Sequence, residues 1–94
     1  MHDDEIIRRI EEFPFRRAPV AAEWRKKGYT MLHAQTGHPI ARLRPLGRDD
    51  LLEIFYWSSC KQRWAPAGPF GRTAAPIGEA LRIIACEPIF WAGV

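Results

Sequence analysis

The chain has 94 residues, of which 47% are hydrophobic and 12% aromatic, with four tryptophans. This length suits one domain, and the aromatic content excludes the composition of a disordered chain. The formal net charge is +3, and basic and acidic residues are interspersed along the sequence, so it predicts no basic arm or block for a polyanion.

The sequence also argues against secretion and membrane insertion. The N-terminus is acidic and lacks the basic and apolar regions of a secretory signal. The longest run of large apolar residues is 54–57, whereas a membrane helix needs about 20. Two cysteines, Cys60 and Cys86, are too few for a disulfide scaffold. We therefore expect a cytoplasmic protein with reduced thiols and no membrane partner.

The N-terminal region, residues 1–27, predicts two helices. One of the two aspartates at positions 3 and 4 can cap a first helix, whose apolar residues recur at helical spacing until Pro14 ends it. Pro19 suits the first turn of a short second helix. The basic run 25–27 and Gly28 would close that helix, since cations and glycine favour helix C-termini.

From Gly28 onward the pattern changes to the alternation that is typical of strands. Short connections between successive strands favour an antiparallel meander over parallel crossovers, and Gly37 lies in a predicted tight turn. The four predicted strands are 29–34, 39–44, 51–58 and a short segment around Trp64.

The C-terminal region combines a loop, a helix and an aromatic tail. Residues 65–76 are rich in proline and glycine and predict an irregular loop, and residues 78–86 predict a helix. Pro88 ends this helix before the apolar residues 89–91. The sequence as a whole predicts a single α+β domain, 1–94, divided into a helical region (1–27), a meander (28–65) and a C-terminal region (66–94).

The third predicted strand is apolar on both of its faces. Leu52, Ile54 and Tyr56 point one way, and Phe55 and Trp57 point the other. Such a strand needs cover on both sides. Either the N-terminal helices cover one face and the C-terminal helix the other, or the second face packs against another copy of the chain in a homodimer.

Several short motifs share a spacing that occurs in one protein family. They are 39–44 (Pro-Ile-Ala-Arg-Leu-Arg), 55–57 (Phe-Tyr-Trp), 63–64 (Arg-Trp), Ala80, Leu81 and Ile84, and 87–91 (Glu-Pro-Ile-Phe-Trp). The chain resembles a family of small bacterial domains of unknown function over roughly residues 18–92. It departs from that family at Glu87, where an aspartate is usual, and in a shorter tail. The resemblance implies a meander followed by a helix, and it brings no function and no site residue.

Metal and nucleophilic sites are weakly indicated. The histidines and cysteines lack the close pairs that a structural zinc site shows, so we predict no metal and no cofactor. Cys60 lies beside Lys61 and near Arg63, and neighbouring cations favour a thiolate. His33 or His38 would then be the base of a cysteine-dependent enzyme. Because cysteine and histidine also occur together in proteins without catalysis, we expect no catalytic residue.

An aromatic and basic cluster on adjacent predicted strands is the more informative pattern. Aromatic rings that stack on bases, with cations against phosphate, bind single-stranded nucleic acid on open sheets. We favour the alternative, that both tryptophans are core residues and the arginines form a solvated rim, because a protein this small needs its tryptophans for the core. The residues of this candidate nucleic-acid site are Arg42, Arg44, Trp57, Lys61, Arg63 and Trp64.

Three hypotheses of function follow from these patterns. The one we favour is a non-enzymatic interaction module that associates with itself through the second sheet face or through the tail containing Phe90 and Trp91. The second is a nucleic-acid binder that uses the aromatic and basic cluster. The third is a small enzyme that depends on Cys60.

Overall fold

An antiparallel sheet with helices on one side forms the domain. The computed structural model describes residues 4–47, 50–67 and 73–92. Strand order is β1-β2-β3-β4-β5, and β6 pairs with β4. The strands are β1 (Val20–Arg25), β2 (Gly28–His33), β3 (Pro39–Pro45), β4 (Leu52–Ser58), β5 (Arg63–Pro66) and β6 (Ala74–Ala75). The helices are α1 (Asp4–Glu12), α2 (Ile77–Cys86) and a 3₁₀ helix (Pro88–Trp91).

The structure confirms the α+β class, the antiparallel sheet, the first helix and the C-terminal helix. The prediction of a second N-terminal helix is wrong. Val20–Arg25 form strand β1, and Lys26 and Lys27 form the turn into β2. The segment pairs with β2 along its whole length, and alternate residues pack against the core. A six-residue helix is marginal in water, so these tertiary contacts decide its conformation. The predicted helix cap at Asp3 lies outside the described residues.

The sheet has six strands within residues 4–47, 50–67 and 73–92, so the predicted number of four is also wrong. Besides β1, the additional strand is β6, which lies inside the predicted loop 65–76. Strands β5 and β6 pair with successive parts of the same edge of β4. The backbone of Ile54 joins the two parts, since its N–H donates to the carbonyl of Thr73 (2.8 Å) and its carbonyl accepts from the N–H of Ala67 (3.1 Å). Residues 68–72 of the predicted loop lie outside the described ranges.

The helices all pack on one face of the sheet. Ile10 of α1 and Ile84 of α2 are fully buried in one cluster with Met31, Leu43 and Ile54 of the strands. Of the two alternatives, the one in which the N-terminal and C-terminal helices cover opposite faces is therefore wrong. A chain of this size has enough apolar side chains for one core between two layers, and a second core would divide them. No described helix covers the opposite face of the sheet.

Trp91, in the C-terminal 3₁₀ helix, packs in the core. Its Nε1–H donates to the carbonyl of Ile84 (2.8 Å), and its ring centroid lies 5.5 Å from that of Phe15. Phe90 and Trp91 are both buried, with 3% and 6% exposed. Both aromatic residues of the tail therefore belong to the core. No helix in the described ranges combines the length and apolar character needed to span a bilayer.

Candidate functional site on the outer sheet face

The face opposite the helices, here called the outer face, is defined by strand register. Thr30 pairs with Arg42, and Arg42 pairs with Phe55, so these side chains form one row on the side away from the core. The outer face is formed by Ala21, Glu23 and Arg25 of β1, Thr30 and Leu32 of β2, Arg42 and Arg44 of β3, Glu53, Phe55 and Trp57 of β4, and Trp64 and Pro66 of β5.

Two tryptophans form an aromatic pair at one end of this face. Trp57 and Trp64 pair across β4 and β5, and their rings meet edge to face with centroids 5.3 Å apart. Both are half-buried, and neither packs against the core cluster. The expectation that both are core residues is therefore wrong. Because the rings pack on each other, each has part of its surface left for a further contact.

Arg44 is neutralised within the face. Its Nη2 donates to Oε1 of Glu53 at 2.6 Å, and its guanidinium lies 5.5 Å from the ring centroid of Phe55. Glu53 is only 1% exposed, so this charge-assisted bond balances a buried carboxylate. On the neighbouring edge of the sheet, Arg25 forms an ion pair with Glu23. Two cations of the outer face, Arg25 and Arg44, are therefore paired with carboxylates of the same face.

Arg42 is committed to the hairpin between β1 and β2. Its Nη1 donates to the carbonyl of Arg25 (2.9 Å) and to Oγ1 of Thr30 (3.1 Å), and its Nη2 donates to the carbonyl of Lys26 (2.6 Å). Gly28 leaves space for this, because a Cβ there would lie 2.7 Å from the guanidinium. Arg42 thus acts as a brace between β3 and the hairpin turn.

Burial and nearby cations both act on the Arg42 guanidinium. Partial desolvation, followed by repulsion from Arg44 and Arg25, lowers the pKa of this group from its ordinary value. An arginine remains charged at neutral pH even so. Arg25, Arg42 and Arg44 thus lie at the same end of the outer face, where Arg42 bonds to the backbone carbonyl of Arg25.

The remaining members of the predicted cluster lie elsewhere. Arg63 pairs with Ser58, which points to the same side of the sheet as Tyr56, the side that the helices cover. The Arg63 side chain is exposed at the end of that side. Lys61 is exposed in the turn between β4 and β5, where its N–H donates to Oγ of Ser58 (3.3 Å). The structure therefore brings Arg42, Arg44, Trp57 and Trp64 together and separates Lys61 and Arg63 from them.

The structure gives no support to the hypothesis of a cysteine-dependent enzyme. Cys60 is exposed at the β4–β5 turn, and among the described residues no hydrogen bond joins it to a histidine. Nδ1 of His33 accepts from the backbone N–H groups of Gln35 (3.1 Å) and Thr36 (3.3 Å), so this imidazole caps its own turn. Within the described ranges, no group of three or more candidate ligands could hold a metal ion.

Local sequence pattern misses the part of the outer face that lies on β1 and β2. It places Ala21 and Glu23 in a helix, and it does not single out Thr30 and Leu32, because nothing local distinguishes the two sides of β2. Only the register of β1, β2 and β3 places these four side chains on the same face as Arg42. Correct assignment of β1 would supply the missing signal, since alternation then fixes which residues face outward.

Comparison of the chain with protein-family models, with curated proteins and with solved structures gives no match.

Proposed function

We propose that this protein is a non-enzymatic interaction module that forms a homodimer by packing two outer faces together. The observation that carries the proposal is that all described helices lie on one side of the sheet, while the other side presents half-buried Leu32, Phe55, Trp57 and Trp64. Half-buried apolar side chains gathered on a sheet face that no described helix covers favour a contact surface, and tryptophan and arginine are enriched in such contacts.

The charges on this face favour a protein partner over nucleic acid. Arg44 bonds to Glu53 and Arg25 to Glu23, so a polyanion would have to compete with carboxylates for both cations. Arg42 already donates to two backbone carbonyls and a hydroxyl. A second copy carries the same internal pairs and can approach them without a large excess of like charge.

The distribution of side-chain size supports a second copy as the partner. Bulky Phe55, Trp57 and Trp64 lie on β4 and β5, whereas the smaller Ala21 and Thr30 lie on β1 and β2. A two-fold axis along the central strand β3 would place the bulky half of each sheet over the small half of the other. Such an isologous contact is self-complementary in shape, and aligned sheets commonly pack in this way.

The size of the face sets the expected affinity. Five strands about 4.8 Å apart, each about 20 Å long, give a face of roughly 20 Å by 20 Å. A pair of such faces buries roughly 800 Å² in total, which is below the range of stable specific interfaces and typical of weak, reversible contacts. We therefore expect a reversible dimer with a dissociation constant on the order of micromolar.

Sedimentation equilibrium tests the dimer and its geometry. In the proposed packing, Ala21 lies opposite the aromatic pair, so Ala21→Trp would overfill the interface without removing apolar surface. We expect this variant to sediment as a monomer at concentrations where the wild-type chain is dimeric. Ala92→Trp adds the same ring at an exposed position that follows the 3₁₀ helix on the core side of the sheet, and it should leave the dimer intact.

A second variant distinguishes the partner class. Trp57→Glu places a charge on the aromatic pair and should also give a monomer. A wild-type monomer at every concentration would contradict the proposal. If that monomer also showed tryptophan quenching by single-stranded oligonucleotides, weaker in Trp57→Glu and at higher salt, the outer face would be a nucleic-acid surface instead.

A further inference from the structure

The turn between β1 and β2 has an unusual composition for its conformation. Lys26 and Lys27 are its two central residues, and both have positive φ, 51° and 64°. Two-residue hairpin loops with this backbone strongly favour Asn-Gly, because side chains with a Cβ are strained there. Two lysines therefore occupy positions where the backbone would prefer other residues.

The Arg42 brace keeps these lysines in place. The guanidinium of Arg42 donates to the carbonyls of Arg25 and Lys26, which flank and begin the turn. This contact also draws a third cation to the base of the hairpin. The backbone of the turn is therefore held in place, and its two lysines lie at the end of a two-stranded β-ribbon.

Charge at this end of the sheet is not balanced. Arg25, Lys26 and Lys27 are all exposed, and the pKa of Arg42 is lowered by burial and by repulsion from Arg44 and Arg25. Glu23 and Glu53 pair with the two flanking arginines, Arg25 and Arg44. Across the described residues, no ion pair neutralises Lys26, Lys27 or Arg42.

We propose that the tip of this hairpin, residues 25–28, binds the phosphodiester backbone of nucleic acid. Ammonium and guanidinium groups are the usual partners of phosphate, and a two-stranded β-ribbon fits the major groove of a duplex. The tip carries no apolar side chain to insert into a lipid layer, which favours nucleic acid over a membrane surface. Arg25 and Gly28 at the base of the tip also border the outer face, whereas Lys26 and Lys27 lie in the turn beyond it.

The turn itself permits a direct test. Lys26→Asn combined with Lys27→Gly removes both charges and supplies the residues that the backbone prefers. We expect weaker binding of a short labelled DNA duplex, by on the order of 50-fold at 0.1 M salt in fluorescence anisotropy, with a salt slope shallower by about 1.8. We also expect the thermal midpoint of unfolding to rise by about 5 °C, so lost binding could not be attributed to lost folding.

Matched variants make the result specific. Lys61→Gln combined with Arg63→Gln removes two cations at the opposite end of the sheet and should change the affinity for DNA less than twofold. Lys26→Arg combined with Lys27→Arg keeps both charges in the turn and should also change it less than twofold. Absence of DNA binding by the wild-type chain at low salt would overturn the proposal. Equal losses in the variants at the two ends would also overturn it, as would tighter lysine-dependent binding to phosphatidylserine vesicles than to DNA. Retained binding in monomeric Trp57→Glu would show that the site is independent of the dimer.

Discussion

At the scale of single residues, the hydrogen bonds of Arg42 are the feature that ties the hairpin to the rest of the sheet. Three acceptors on β1, β2 and their turn bond to one guanidinium on β3. A hydrogen bond from a charged group stabilises the folded state by about 1.5–3 kcal/mol. A buried acceptor that loses its donor destabilises the fold more than an exposed acceptor does, because water cannot replace the donor. Arg42 therefore stabilises a turn whose own backbone conformation is unfavourable.

We expect Arg42→Met to lower the free energy of unfolding by about 2 kcal/mol, measured by urea denaturation. The alkyl part of the side chain is kept, so the loss reports on the guanidinium. Arg63→Met is the control, because the Arg63 side chain is exposed and makes no hydrogen bond among the described residues; its effect should stay within about 0.5 kcal/mol. Equal effects of the two substitutions would contradict the role assigned to Arg42.

Gly28 and Arg42 should be coupled. A Cβ at Gly28 would lie 2.7 Å from Cζ and Nη2 of Arg42, so Gly28→Ala displaces the guanidinium from its acceptors. We expect this substitution to destabilise the wild-type chain by about 1 kcal/mol more than it destabilises Arg42→Met, as a double-mutant cycle would show. Additive effects would mean that Gly28 is needed for another reason.

At the scale of elements, α2 and the 3₁₀ helix are joined by the indole of Trp91. Its Nε1–H satisfies the carbonyl of Ile84 in the core, and its ring meets Phe15 from the N-terminal side. We expect Trp91→Phe to lower the free energy of unfolding by about 2 kcal/mol, since a buried carbonyl loses its donor and the smaller ring leaves a gap. Trp64→Phe, outside the core, should cost less than half as much by the same measurement.

Strand β1 shows why some elements could not be predicted from local pattern. Residues 20–25 contain two alanines and follow a proline, which suits the start of a helix, and the turn after them lacks the glycine or asparagine that marks a hairpin. Pairing with β2 and burial of alternate side chains outweigh that local preference. By contrast, β4 is evident from sequence because Leu52–Ser58 is dense in aliphatic and aromatic residues.

At the scale of the whole molecule, the proposed dimer has a thermodynamic consequence. Association that stabilises only the folded chain makes the thermal midpoint depend on protein concentration. Above the dissociation constant, we expect a rise of about 4 °C for each tenfold increase in concentration, measured by scanning calorimetry. The monomeric variant Ala21→Trp should show a constant midpoint, and a concentration-independent wild-type midpoint would contradict the dimer.

Sequence alone determined the α+β class, the first and last helices, and the two-sided apolar character of β4, because each depends on local periodicity or composition. It also identified Arg42, Arg44, Trp57 and Trp64 as a group worth testing. The tertiary structure decided which face the helices cover, that Arg42 and Arg44 are engaged within the fold, and that Lys61 and Arg63 lie apart. Those outcomes depend on strand register and on the placement of helices, which are set by contacts between residues distant in sequence.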